Sequence, residues 1–273
     1  MIGKRTMVRR VFLWVLTVLF CLSTPALAET TERGNLSERF DDIVAMEYNG
    51  VTYRIRNRIT VALVMGTVGG LSDETGTDFA EMMYLLVIDD DQKIYTPIRI
   101  SSDALVDWEG SELSPETGEV QLRALYSMGA DENVGCGLIV QKLNEILGDE
   151  LIGSYAALDL DRLTVLDGIE PGEEYVEEEY KERLRAIKAK AESSSTDEIN
   201  AMFNALSGYI VTDMKSGALM KIVDKVDRYD GQPTIPLPVV EEVMEDGQVR
   251  VTIDAEAVLP AVLDAFYEEY TAW

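Results

Sequence analysis

Polar and apolar residues alternate on both sides of Asn49-Gly50, a dipeptide that favours a two-residue turn between antiparallel strands. MEYNGVTYRI is therefore read as a β-hairpin. The pattern then turns continuously apolar and β-branched from Ile59 to Val64, and again in YLLVI within Met82 to Ile88. Runs of this kind belong to strands covered on both faces. Between them lies GTVGGLSDETGTD, read as a glycine-rich loop. Lys93 to Ile100 forms the next strand, joined to the previous one through Asp89-Asp90-Asp91-Gln92, a solvated turn of acids.

The period changes downstream. GEVQLRALYSMG reads as helical, and NVGCGLIVQKLNEILG as a helix capped by Asn133 and closed by Gly148, with Ile139, Leu143, Ile146 and Leu147 on one face. SYAALDL is a strand. EEYVEEEYKERLRAIKAKAE is an amphipathic helix, acids first and bases last, as the helix dipole favours. Two more helices follow, around Met202 and Ile222, then strands near Thr234–Val240 and Gln248–Ile253 and a final helix with Leu259, Val262, Leu263 and Phe266. Interleaved strands and helices without a central linker predict one α/β domain, a mixed central sheet with helices on both faces.

The first 28 residues stand apart. Lys4, Arg5, Arg9 and Arg10 precede an apolar run, Val11 to Leu22, and Ala26-Leu27-Ala28 offers small residues for cleavage. This is the layout of a secretory signal peptide, with a retained membrane anchor as the alternative. Residues 29–45 read as a tail and 46–273 as the folded domain. Cleavage takes the net charge from −26 to −30. Such a surface repels phosphate polymers, which excludes nucleic acid as a partner. It also keeps the chain off anionic membranes unless the N-terminal segment stays attached.

The chain has no histidine, which excludes Ser-His-Asp and Cys-His chemistry. Cys136 lies in an apolar helix and reads as a small core residue. GTVGGLS lacks the lysine of a P-loop. Two acids fall where sites form, at strand ends: Asp78 and Asp103. If those ends are neighbours, the two carboxylates can hold a hard cation such as Mg²⁺. A helix cap and a turn acid are the plain alternatives.

The stretches MEYNGVTYRIRNRITVALVMGTVGG, TDFAEMMYLLVIDDDQKIYTPIRISSDALVDW and GCGLIVQKLNEILGDELIGSYAALDLDRLTVLDGI, with the later IVTDMKSGALMKIVDKV and DAFYEEY, resemble the LytR-CpsA-Psr domain of Gram-positive bacteria. The resemblance runs from about Met46 to Tyr270. It implies an extracytoplasmic α/β domain at the cell envelope. Active members transfer glycopolymers from polyprenyl-pyrophosphate carriers to peptidoglycan with the help of Mg²⁺. Their lipid tail lies among helices and their head group is held by aspartates and arginines.

Against that pattern, Asp78 and Asp103 are kept, but Ser102 stands where an arginine is expected. After Asp167-Gly168-Ile169 most of an arginine-bearing insertion is missing, and Glu170, Glu173, Glu174, Glu177, Glu178 and Glu179 occupy the region. Arg99 is the candidate replacement beside Asp103 for catalysis. Arg183, Arg185 and Gln121 are the candidate substrate contacts, and Asp78 and Asp103 the metal ligands. Loss of cations around a pyrophosphate leaving group weakens transfer, about 3 kcal/mol per lost charged contact. The expectation is a divergent, catalytically impaired protein that binds or regulates a polyprenyl-linked glycopolymer. An active Mg²⁺-dependent transferase and a ligand-free interaction domain are the alternatives.

Overall fold

The structure is a computed structural model that describes residues 34–35, 39–40, 43–69, 78–110, 117–148, 150–170, 176–244 and 247–270. The expected signal peptide and most of the glycine-rich loop lie outside the described residues. Strands β1 (Ile43–Tyr48) and β2 (Val51–Ile55) form the expected hairpin. Asn49 and Gly50 have φ of 52° and 75°, the left-handed pair that a tight hairpin turn requires.

The central sheet is built on β3 (Ile59–Gly69), β4 (Asp78–Asp89) and β5 (Ile94–Ile100), all antiparallel neighbours. β6 (Leu105–Trp108), β7 (Gly118–Gln121) and helix α1 (Glu132–Leu147) come next. β8 (Ser154–Asp159) then returns to run parallel to β3. Helices α2 (Glu177–Ser193) and α3 (Thr196–Leu206), the edge strand β9 (Ile210–Thr212) and helix α4 (Ser216–Val226) follow. The central order is β9-β8-β3-β4-β5, with two short parallel bridges on the outer side of β5. β10 (Val239–Val243) and β11 (Val249–Ile253) join β6 and β7 in a second sheet. Helix α5 (Ala255–Phe266) leads to β12 (Tyr267–Glu269), which pairs with β2 in a third.

The apolar runs of β3 and β4 are explained by two cores. Odd positions (Val61, Leu63, Met65, Met83, Leu85, Val87) pack with α1 and α5. Even positions (Ala62, Val64, Met82, Tyr84, Leu86, Ile88) pack with α2, α3 and α4. The mixed sheet with helices on both faces is thus observed. Each fully buried leucine here contributes about 1.5–3 kcal/mol.

Three local readings are corrected. GEVQLRALYSMG is not a helix: Gly118 to Gln121 pair with β6, and only Leu122–Leu125 make a 3-10 turn. Its apolar positions satisfy the partner strand rather than a helical stripe. Helix α1 is capped by Asp131, whose carboxylate accepts the Val134 N–H at 2.9 Å, while Asn133 receives the Tyr155 hydroxyl. The strand expected over 234–240 is broken into Ile235–Pro236 and β10, because Pro236 and Pro238 lack the N–H that a continuous ladder needs. Among the described residues, no helix is long and apolar enough to cross a membrane.

Candidate functional site

β3 and β8 run parallel, so their C-terminal ends lie side by side, Thr67 opposite Asp159. The chain continues from β8 through Leu160, whose N–H binds the Thr67 carbonyl at 2.8 Å, into Asp161. Asp161 accepts the Gly69 N–H at 2.9 Å with one oxygen and the Tyr180 hydroxyl at 2.7 Å with the other. Asp159 accepts the Asp161 N–H at 3.0 Å and Arg162 at 3.2 Å. β4 starts at the same place, with Asp78 paired to Gly69. A Cβ on residue 69 would stand 3.0 Å from an Asp78 oxygen, so glycine permits the close approach.

Three carboxylates thus gather at these strand ends, and Arg162 engages Asp159. Burial first, then Asp159 and Asp161, push the Asp78 carboxyl above the usual range, and Arg162 offsets part of this. Asp159 is raised in the same way, by burial and then by Asp161.

A second group sits three residues along β4. The ladder slips between Gly66 and Thr67, so that Met82 pairs with Gly66 and Ala80 with Thr67, leaving Glu81 as the unpaired bulge residue. The turn after β5 brings Ser102 and Asp103 to the 3-10 turn, where Leu122 N–H binds the Ala104 carbonyl at 2.8 Å and Arg123 N–H the Ser102 carbonyl at 3.0 Å. The Arg123 guanidinium then meets Glu81 at 2.7 Å, Asp103 at 3.4 Å and the Gln121 side chain at 3.0 Å, and lies 5.6 Å from the Phe79 ring centroid. Burial raises the Glu81 carboxyl, Arg123 lowers it and Asp103 raises it again.

Arg123 therefore places a guanidinium beside Asp103. It arrives from a turn 20 residues downstream of Asp103, held by α1. Gly135 makes that packing possible, since a Cβ there would be 2.2 Å from the Tyr126 carbonyl oxygen.

The other sequence candidates go to different partners. Arg99 projects from β5 onto Glu177 of α2. Arg183 is buried and forks onto Asp167 at 2.8 and 3.1 Å, adding the Ile169 carbonyl at 2.8 Å, so it fastens the loop before α2. Arg185 meets Glu178 at 3.1 Å. Gln121 and Asp103 are brought together on Arg123. Asp78 and Asp103 serve two different groups, the first with Asp159 and Asp161, the second with Arg123. As a pair they do not fit Mg²⁺, because the Asp103 carboxylate is exposed and turned to a guanidinium. Among the described residues no three carboxylates or thiols converge closely enough to hold a metal ion.

Asp159, Asp161, Glu81 and Arg123 escaped the sequence reading. Asp159 and Asp161 leave one signal, acids at alternate positions closing an apolar strand in ALDLD; Arg123 leaves none, because the apolar spacing around it fits a helix as well as a turn. Cys136 is buried as expected, and burial, then Glu132 and Asp213, push its thiol up to about 12, which keeps it protonated and unreactive.

Comparison with known proteins places the architecture. No family profile matches the chain, and no curated protein matches it. Among solved structures, the chain is similar to protein gbs0355 from Streptococcus agalactiae, at 15% identity and a TM-score of 0.53, over 74% of this chain and 84% of that one. It is also similar to TagV from B. subtilis, at 14% identity and a TM-score of 0.50, over 77% of this chain and 97% of that one. The fold is the LytR-CpsA-Psr type that the sequence resemblance implies.

Proposed function

We propose that this protein works at the cell envelope by binding a polyprenyl-linked glycopolymer, or by regulating its assembly, with transferase chemistry impaired. One observation carries this reading: the arginines available to a pyrophosphate are already neutralised. Arg123 lies between Glu81 and Asp103, Arg99 on Glu177, Arg183 on Asp167 and Arg185 on Glu178. A cation engaged by a carboxylate offers little to a developing negative charge, and stabilising that charge is the main task in phosphoryl transfer. The fold agrees with a lipid-carrier binder. The N-terminal segment, read as a signal peptide, agrees with export.

The test combines binding and turnover. The chain is incubated with a polyprenyl phosphate and, separately, with a polyprenyl-pyrophosphate-linked glycan plus a peptidoglycan acceptor. Lipid binding without glycan transfer supports the proposal, and transfer that collapses in Asp103→Ala overturns it.

A further inference from the structure

Strand β10 ends the second sheet on one side and leaves an open edge. Val239 to Val243 pair with Ile253 to Val249 of β11, and among the described residues no strand lies on the other side. The Met244 N–H binds the Gln248 carbonyl at 2.8 Å, and the Asp254 N–H binds the Pro238 carbonyl at 3.0 Å. Antiparallel pairs alternate between bonded and unbonded. Both ends of the ladder set the same phase: Val240 and Glu242 bond to β11, and the N–H and C=O groups of Val239, Glu241 and Val243 point outward. The edge strand of the central sheet, β9, has three half-buried residues, whereas four of the five in β10 are exposed. Val243 and Val249 form an opposed apolar pair, 73% and 54% exposed, and Val240 is exposed on the opposite face.

Natural sheets blunt such edges with charge, and Glu241 and Glu242 do so here. A guard of one sign repels only its like. Glu241 stands opposite Val251, and Glu242 opposite Arg250, whose guanidinium is already engaged by Glu119 of β7. A second copy of the chain is a poor occupant. Paired edge to edge, it sets these glutamates against their own counterparts, between chains of net charge −26. A basic strand meets no such cost. We propose that β10 receives, as an added strand, an extended segment of a partner protein with two adjacent lysines or arginines flanked by β-branched apolar residues. Adjacent side chains of a strand point to opposite faces, so the two bases meet Glu241 on one face and Glu242 on the other. The flanking residues cover Val240 and Val243, and the outward backbone groups of Val239, Glu241 and Val243 supply the ladder.

The experiment titrates the whole isotope-labelled chain with a short capped peptide in which two lysines stand between valines, and follows the backbone amides by NMR. Expected are the largest shifts, and new protection from exchange, at the amides of Val239, Glu241 and Val243. Glu241→Lys combined with Glu242→Lys should weaken binding roughly tenfold, and the same peptide with glutamates for its lysines should then bind that variant. N-methylation of the peptide amides that face β10 should abolish binding to the unaltered chain, which keeps the test decisive if the doubly substituted chain folds poorly. Binding that survives N-methylation is ionic attraction without an added strand and overturns the proposal, as does an absence of binding. Self-association of the chain in sedimentation that Val243→Lys removes assigns the edge to a second copy and overturns it too.

Discussion

Strand β4 carries acids at both ends, and the two ends treat them in opposite ways. At the far end, Asp89 is 4% exposed and accepts the N–H groups of Asp91 and Gln92 at 2.8 Å each, with Arg56 at 3.5 Å. Asp90 meets Lys225 at 2.8 Å and Tyr229 at 2.9 Å, and Asp91 meets Arg58 at 3.0 Å. At the near end, Asp78, Asp159 and Asp161 crowd together, and Arg162 meets Asp159 at 3.2 Å. The Asp90 carboxyl is pulled down, with burial opposing the stronger combined action of Lys225, Tyr229 and Arg58; that of Asp78 is pushed up. The first end is a structural turn. The second crowds like charges together at the ends of two parallel strands.

Substitutions test how deep this difference goes. Asp89→Ala removes a buried acceptor from two backbone donors and should cost about 2–3 kcal/mol in urea unfolding. An unchanged midpoint breaks the claim that this end is structural. Next, Arg123→Ala leaves Glu81 largely buried beside Asp103 without its cation. A loss of about 1–2 kcal/mol is expected, shrinking in acid as Glu81 takes up a proton, and read from unfolding midpoints across pH.

The sharpest comparison pairs Asp90→Asn with Asp78→Asn. The depressed Asp90 carboxyl contributes stability present above the ordinary aspartate range and lost as pH falls through its folded value. The raised Asp78 carboxyl works the other way: the folded state holds its proton more tightly, so stability falls as pH rises from the ordinary range through the raised value. At neutral pH, Asp90→Asn should therefore lower stability by roughly 1 kcal/mol and Asp78→Asn raise it by roughly 0.5 kcal/mol. The two effects, opposite in sign, should converge toward zero in acid. Parallel curves refute the contrast. Smallest of all, Arg185→Ala removes an exposed pair with Glu178 and should leave the urea unfolding midpoint unchanged.

Much of the scaffold was legible in the chain. The Asn49-Gly50 turn, the two-faced strands β3 and β4, and helices α1, α2 and α5 all followed from periodicity and turn chemistry. The near-end site was legible only in part. Asp78 and Asp103 were found because each begins or follows an apolar strand. Their partners were not, because Asp161 comes 83 positions after Asp78 and only the parallel return of β8 brings it there. Arg123 was missed for a local reason. Eight residues around it carry an apolar spacing compatible with either period, and pairing with β6 decided for a strand and a tight turn.

What the sequence determined by itself was the alternation that buries both faces of one sheet, the surplus of acids and the lack of histidine. Those are properties of each residue and its near neighbours. Which carboxylates face a cation and which face each other was decided by tertiary structure alone. Electrostatic energy depends on distance and burial, and both come from strand order and register, which link residues far apart in the chain. That Ser102 precedes Asp103 was a fact of sequence; that Arg123 lies 3.4 Å from Asp103 was a fact of the fold.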